Sequence, residues 1–200
     1  MSPFIETIRI ENGRPLHLSL HQARMETTRS RFFPQAHPLS LHKLLSDAPR
    51  SSVGRIKARI VYGADGVVEK SYQPYILRRI ERLRLVIDNE IDYAYKSTDR
   101  QSLLHLLECR GDCDDILIVR RGLLTDTSFT NIALFDGHRW LTPAQPLLQG
   151  TMRHALLSSG LLVEANISAS ALPSFQYVML FNAMIDAHEV VLPIGVIDNP

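Results

Sequence analysis

The segment at residues 114–153 constrains the fold more than any other part of the chain, because short apolar runs alternate there with strong turn signals. The first run is β-branched and stops at Arg120-Arg121-Gly122, and Asp136-Gly137 is typical of a hairpin turn. After Gly150 the apolar residues change to helical spacing. The segment therefore predicts strands at 115–119, 123–125, 129–135 and 139–141, followed by a helix that starts after Gly150.

Polar side chains crowd one strand junction of this segment, where a purely structural sheet would not need them. They are Asp126, Thr127, Ser128, Thr130 and Asn131. The start of the helix after Gly150 adds backbone N–H groups, which together with the helix dipole favour a bound anion. The segment therefore indicates a site for a small anionic molecule as well as a sheet.

Strands and helices are mixed along the rest of the chain, without a repeat, a low-complexity tract or a Gly/Ser linker. Alternation with a period of two is clearest where Arg55, Lys57 and Arg59 share one face of a strand and apolar residues share the other. Further strands are predicted at 3–11, 54–62, 67–72, 83–88, 161–167, 177–181 and 189–192, and further helices at 18–33, 41–46 and 98–109. We therefore predict an α+β fold with a small lobe at residues 1–82 and a larger lobe at 83–200.

Composition and charge argue against several classes of protein. The net charge is +1 in 200 residues, so nothing favours binding to nucleic acid or to a membrane surface. No apolar run approaches the roughly 20 residues of a membrane span, and Glu6 and Glu11 interrupt any signal-peptide pattern. Cys109 and Cys113 are the only cysteines, too few for a disulfide framework or, without further ligands, for a zinc site. The sequence predicts a cytoplasmic protein that needs no metal.

Three short motifs occur in order: Asp126 with Asn131 five positions later, then Leu141-Thr142-Pro143, then Gly150-Thr151-Met152-Arg153. This ordered set resembles the signature of class IV pyridoxal-phosphate enzymes, which include branched-chain and D-amino-acid aminotransferases and aminodeoxychorismate lyase. The resemblance implies an α+β, two-lobed fold like that of D-amino-acid aminotransferase, with pyridoxal 5'-phosphate in the cleft between the lobes. It also implies a small-molecule substrate and a homodimer. Relative to the family, we expect the chain to be shortened at its N-terminus.

The resemblance assigns different residues to the three ends of the cofactor. Lys96, in the segment Lys96-Ser97-Thr98-Asp99-Arg100, resembles the family's Schiff-base lysine and would be the catalytic residue. Asp126 stands where the family usually has Glu, and it would keep the ring nitrogen protonated. Arg24, in a His-x-x-Arg motif that starts at His21, would bind the phosphate together with the helix start. The implied cofactor-binding set is Arg24, Lys96, Asp126, Thr130, Asn131, Thr151 and Met152.

The residues expected to bind the substrate are Arg9, Arg55, Lys57 and Asn182. The cations at Arg55 and Lys57 suit a carboxylate, and a solvated strand face explains them equally well. Arg9 ends the segment Glu6-Thr7-Ile8-Arg9, which resembles a family segment near the pocket. Asn182-Ala183 resembles the Asn-Ala pair of the lyase.

Three functions stay open at this point. The first is a lyase that converts 4-amino-4-deoxychorismate to 4-aminobenzoate and pyruvate, a step of folate biosynthesis. Asn182-Ala183 and the Lys-x-x-Asp-Arg segment at Lys96 favour it. The second is an aminotransferase that acts on branched-chain or D-amino acids. The third is a cofactor-free binding protein of the same fold.

Overall fold

The structure is a computed structural model that describes residues 2–50 and 54–198. Within these ranges strands and helices are mixed along the chain, which confirms the predicted α+β class. The helices are α1 Leu18–Phe32, α2 Leu41–Leu44, α3 Gln101–Glu108 and α4 Thr151–Ser158. The strands are β1 Phe4–Glu11, β2 Arg14–Pro15, β3 Ile56–Gly63, β4 Gly66–Pro74, β5 Leu83–Ile87, β6 Asp115–Arg120, β7 Leu123–Thr127, β8 Asn131–Phe135, β9 Trp140–Pro143, β10 Leu162–Ala165, β11 Tyr177–Asn182, β12 Ile185–Pro193 and β13 Ile197–Asp198.

Most of the predicted elements are confirmed, and they differ from the prediction mainly at their ends, whereas the two-residue strands β2 and β13 were not predicted. Helix α3 begins at Gln101 instead of Thr98, because the N–H and hydroxyl groups of Thr98 both donate to the Pro3 carbonyl at 2.9 Å. Strand β12 begins at Ile185, four residues before the predicted start at Glu189. The polar residues between these two positions contribute no apolar signal, so only pairing with β11 defines the start of the strand.

The chain divides into two compact units, and the first comprises Met1–Leu77 and Tyr95–Asp99. Its antiparallel sheet has the order β2-β1-β3-β4, and helices α1 and α2 pack on one face. Alternation along β1 turns Phe4, Ile8 and Ile10 into this core, together with Met25 of α1. The same alternation turns Glu6 into the core.

The second unit comprises Arg78–Ala94 and Arg100–Pro200. It has two sheets, with orders β10-β9-β8-β11-β12 and β13-β5-β6-β7, and one apolar cluster contains residues from both. Strand β6 is buried on both faces: Leu117 joins that cluster, while Ile116 packs against α3. This burial explains why β6 is a continuous apolar run in the sequence. The chain passes from one sheet to the other between β7 and β8, at the polar junction noted in the sequence.

None of the helices in the described part of the chain has both the length and the apolar character needed to cross a membrane. Cys109 is exposed, Cys113 is buried, and both are free thiols.

Candidate functional site

The turn between β7 and β8 brings the polar residues of the first motif together. Thr127 and Thr130 close this turn: their hydroxyl oxygens lie 2.7 Å apart, and the Thr127 N–H donates to the Thr130 carbonyl at 3.0 Å. The reversal places Asp126 beside Asn131, and Asn131 Nδ2 donates to Asp126 Oδ1 at 3.0 Å. Asp126 and Asn131, five positions apart in the sequence, are therefore in direct contact in the structure.

Asp126 is a buried carboxyl that accepts hydrogen bonds on both of its oxygens. Its exposed fraction is 5%, and its Oδ2 accepts from the Leu148 N–H at 2.9 Å. Burial raises the pKa of Asp126 to about 7, and the bonds from Leu148 and Asn131 offset only part of this effect. Such a carboxyl changes its charge near neutral pH, and a cationic partner would hold it ionised.

The loop before α4 is attached to the same pair of side chains. Asn131 Nδ2 also donates to the Leu148 carbonyl at 2.9 Å. A methyl group at Gly150 would lie 1.9 Å from Asn131 Oδ1, so only glycine fits there. The first bond of α4 runs from the His154 N–H to the Gly150 carbonyl at 3.0 Å, and the N–H groups before it point out of the helix end. The acid, the amide and the helix start therefore form one connected network.

Arg153, the last residue of the third motif, fixes the other side of this loop. Its guanidinium is 3% exposed and donates to the Pro143 carbonyl at 2.8 Å and to Gln149 Oε1 at 2.9 Å. It also forms a 2.6 Å ion pair with Glu164 of β10. Arg153 thus joins the Thr-Pro motif, the loop and β10, which is a structural role.

Lys96 belongs to the first unit, where its backbone is held against β1. The Lys96 carbonyl accepts from the Ile5 N–H at 2.9 Å, and Ser97 forms a β-bridge with Phe4. Tyr95 packs edge-on against Phe32 of α1, with ring centroids 4.7 Å apart. The sequence position of Lys96 between a strand and a helix is confirmed, and the backbone around it is fixed.

Arg24 lies on α1 beside a fully buried acid. Its Nε and Nη2 donate to the two carboxylate oxygens of Glu6 at 2.9 and 2.5 Å, and His21 Nδ1 lies 2.6 Å from Glu6 Oε2. Burial alone would raise the pKa of Glu6, but the Arg24 charge and the bonds from His21 and Arg24 outweigh it and lower that pKa. Burial lowers the pKa of His21, against the bond to Glu6, and the nearby charges of Arg24 and Lys96 lower it further. His21 is therefore neutral at pH 7, and its Nδ1–H group donates a hydrogen bond to the Glu6 carboxylate.

The predicted substrate cations of the first unit share one face of its sheet. Arg9 and Lys57 are direct cross-strand neighbours in the β1–β3 register. Arg9 is 4% exposed and forms a 2.6 Å ion pair with Glu11. Arg55 lies just before β3, and its carbonyl accepts from the Tyr75 N–H at 2.9 Å. The alternation seen in the sequence is confirmed, and carboxylates of the same unit balance part of the positive charge.

Asn182 is partly buried, and its amide forms hydrogen bonds within the second unit. Its Oδ1 accepts from the N–H groups of Met184 and Ile185 at 2.8 and 3.1 Å, which shapes the turn between β11 and β12. Its Nδ2 donates to the Phe129 carbonyl at 3.2 Å. Asn182 therefore supports the β7–β8 turn, and its contact with a substrate stays a prediction.

Sequence reasoning missed several residues that hold this site. They are Glu6, His21, Arg100 and Leu148. Arg100 Nη2 donates to the Ser128 carbonyl at 2.6 Å and so holds the β7–β8 turn. One signal was available: Glu6 is an acid on the apolar face of an alternating strand. Leu148 gave no signal, because only its backbone takes part.

The predicted site residues fall into two sets, one in each unit. The second unit brings Asp126, Thr130, Asn131, Thr151 and Met152 into one neighbourhood, through the β7–β8 turn and the start of α4. The first unit holds Arg24 and Lys96, together with the cations Arg9, Arg55 and Lys57. Thr151 and Met152 are each 4% exposed.

Comparison with known proteins gives matches over nearly the whole chain. The family model for amino-transferase class IV matches residues 4–192. An uncharacterized protein of Haemophilus influenzae is 32% identical over 186 residues, 92% of this chain and 98% of that protein. An aminodeoxychorismate lyase of Saccharomyces cerevisiae is 35% identical over 81 residues, 37% of this chain and 22% of the lyase. A candidate 4-amino-4-deoxychorismate lyase from Haemophilus somnus 129pt has a TM-score of 0.85 and 33% identity, with 92% of this chain and 97% of that one covered.

Proposed function

Because the chain belongs to the class IV aminotransferase family, we propose that it is a pyridoxal 5'-phosphate enzyme with the activity of an aminodeoxychorismate lyase. The observation that carries the cofactor assignment is Asp126, a buried carboxyl with a pKa near 7. A buried acid of this kind costs free energy when it ionises alone, and a protonated ring nitrogen would offset that cost.

The other residues of the chain fit the remaining parts of the cofactor. Thr151 and Met152 lie in the first turn of α4, where backbone N–H groups and the helix dipole suit a phosphate dianion. Arg24 suits the same phosphate, because a guanidinium binds two oxygens at once. When bound, the cofactor supplies an aldehyde that bonds amines and a ring that withdraws electrons from them.

In this proposal each residue has a defined task. Lys96 would supply the amine that holds the aldehyde end, and it would take the proton from the substrate carbon that bears the amino group. In the lyase that carbon becomes part of the aromatic ring of 4-aminobenzoate, so the proton passes to the departing enolpyruvyl group, which leaves as pyruvate. Asp126 keeps the ring nitrogen protonated, and Asn131 orients Asp126. Thr130 supports both by closing the β7–β8 turn. Arg9, Arg55 and Lys57 attract the substrate carboxylates.

We favour the lyase over an aminotransferase because of its relatives and one short segment. Two similar proteins carry that activity in their names, one of them similar over nearly the whole chain. Asn182-Ala183 resembles the corresponding pair of the lyase. An aminotransferase acting on branched-chain or D-amino acids is the second candidate, and the family supports it equally. By analogy with the family we also propose a homodimer in the cytoplasm, and sedimentation equilibrium would measure its mass.

Borohydride reduction tests the cofactor assignment directly. The protein is mixed with pyridoxal 5'-phosphate, reduced and digested, and the modified peptide is identified by mass spectrometry. We expect the cofactor on Lys96, and we expect Lys96→Ala to lose both the label and the activity while it stays folded. Lys57→Ala is the matched control, because it removes an amine from the same unit and should keep the label. A folded native protein that gains no label would favour the cofactor-free function.

Activity assays then separate the two enzymes. Release of pyruvate and 4-aminobenzoate from 4-amino-4-deoxychorismate identifies the lyase. Transfer of an amino group from an amino acid to a 2-oxo acid, without that release, identifies the aminotransferase.

A further inference from the structure

Glu6 is an acid at a core position of β1, where the pattern of the strand predicts an apolar residue. It lies on the core face of β1 between Phe4 and Ile8, it is fully buried, and its direct neighbour on β3 is Ile60. An apolar side chain there would continue the core without the cost of removing a charge from water. Buried ion pairs add little net stability compared with apolar residues of similar size. The stability of the fold therefore gives no reason for this acid.

The geometry of Glu6 fixes the guanidinium of Arg24 in one orientation. The two bonds from Nε and Nη2 use one side of the planar group, which turns the edge formed by Nη1 and Nη2 away from Glu6. His21, 1% exposed, holds the carboxylate from the other direction at 2.6 Å. Arg24 keeps a side-chain exposure of 15%, whereas Glu6 has none. The two bonds to Glu6 thus hold an otherwise flexible side chain in one orientation.

The same strand segment also positions Lys96. The Lys96 carbonyl accepts a hydrogen bond from Ile5, the residue next to Glu6. One segment of β1 therefore holds the backbone of Lys96 and the side chain of Arg24 in a fixed relation.

We propose that Glu6, held by His21, is a positioning residue that orients Arg24 for the phosphate of the cofactor. This inference rests on the proposed function, because it takes Arg24 as a phosphate-binding residue. Glu6 itself would not contact the cofactor, and it would act by reducing the orientational freedom that Arg24 loses on binding.

The test compares pyridoxal 5'-phosphate with pyridoxal, which lacks the phosphate. Both bond to a lysine amine, so the ratio of their affinities reports only what the phosphate contributes. Dissociation constants are measured by absorbance titration for the native protein, Glu6→Gln, Arg24→Ala and the double variant. We expect Glu6→Gln to lower the affinity ratio about tenfold, because a positioned charge-assisted bond is lost. In the Arg24→Ala background, Glu6→Gln should change the ratio no further.

The sign of the effect separates positioning from simple charge balance. Glu6→Gln removes a negative charge near the phosphate, so an acid that only balances charge would raise the ratio when replaced. A raised or unchanged ratio in the folded variant overturns the proposal, and so does an undiminished effect in the Arg24→Ala background. If Glu6→Gln fails to fold, Glu6→Asp keeps the charge but withdraws it by about 1.5 Å, and it should lower the ratio in the same way.

Arg29→Gln is the matched control on the same helix. Arg29 is 6% exposed and donates to the carbonyls of Gly63 and His37 at 2.6 and 2.7 Å, with no acid involved. Its loss should lower stability and leave the affinity ratio unchanged. A native protein that bonds neither compound refutes the proposed function and this inference together. A native protein that bonds both, with a ratio insensitive to Glu6, refutes only the inference.

Discussion

Replacing Asp126 by asparagine should change the stability of the cofactor-free protein in opposite directions at acid and at neutral pH. The pKa of this carboxyl rises from 3.8 to about 7 on folding. At about 1.4 kcal/mol for each pKa unit, ionised Asp126 costs the folded state about 4 kcal/mol above pH 7. Asparagine carries no charge and avoids this cost.

Asparagine introduces a different and pH-independent cost. Both oxygens of Asp126 accept hydrogen bonds, one from Asn131 Nδ2 and one from the Leu148 N–H. An asparagine has one acceptor oxygen, so its amide group must face a donor whichever way it turns. A buried donor left without an acceptor costs about 1–3 kcal/mol.

Whether Asp126→Asn raises or lowers the stability depends on two costs: that of ionising buried Asp126 and that of the unpaired asparagine donor. Because folding raises the pKa of Asp126, the contribution of this one carboxyl to the free energy of unfolding is greatest below pH 3.8. That contribution falls as the pH rises towards 7 and above. Near pH 4 the native protein should therefore be the more stable, by about 1–3 kcal/mol. Near pH 8 Asp126→Asn should be more stable than the native protein, by about 1–3 kcal/mol.

Urea denaturation of both proteins at intervals from pH 4 to pH 8 measures this difference. Asp136→Asn is the control with the opposite sign, because the N–H groups of Arg139 and His138 lower the pKa of Asp136. Its contribution to stability should be lost as the pH falls. A difference between native protein and Asp126→Asn that does not vary with pH would refute the reasoning about Asp126.

Two further predictions concern the loop before α4. Gly150→Ala should destabilise the protein by about 2–4 kcal/mol in urea denaturation, because its methyl group displaces Asn131 from Asp126 and Leu148. Gly195→Ala, where a methyl group meets nothing within 4 Å, should be neutral, and equal effects at the two sites would contradict the argument. Arg153→Met should cost about 2–3 kcal/mol, since it leaves the Pro143 carbonyl and Gln149 without their donor. An unchanged denaturation midpoint would mean that Arg153 does not hold the loop.

The sequence predicted the elements well because their patterns are local. Strand β3 alternates strictly, β6 is a short apolar run, and the turn at Asp136-Gly137 has the residues that a hairpin requires. The polar junction at β7 and β8 was equally visible, because Asp126 and Asn131 interrupt an apolar sheet. What the sequence did not show is that Asp126 is buried there and that burial raises its pKa.

Contacts that depend on register were not predictable from the sequence. Glu6 meets His21 and Arg24 across 15 and 18 positions, and only the packing of α1 on the core face of β1 brings them together. The backbone bond from Leu148 to Asp126 spans 22 positions and involves no distinctive side chain. Residue types indicate which groups carry charge, whereas pairing and packing decide which charges meet.

The short acid at position 126 is better understood as part of the loop than as a shortened glutamate. An aspartate reaches about 1.5 Å less far than a glutamate, yet both of its oxygens have donors from its own chain. Each carboxylate oxygen can accept more than one bond, so these contacts leave capacity for a ring nitrogen. They also tie the acid to the loop that starts α4, so Asp126 and the start of this helix belong to one network. In the proposed function this network fixes the cofactor. In the same proposal, the choice of substrate would depend on groups outside the network, among them Arg9 and Lys57.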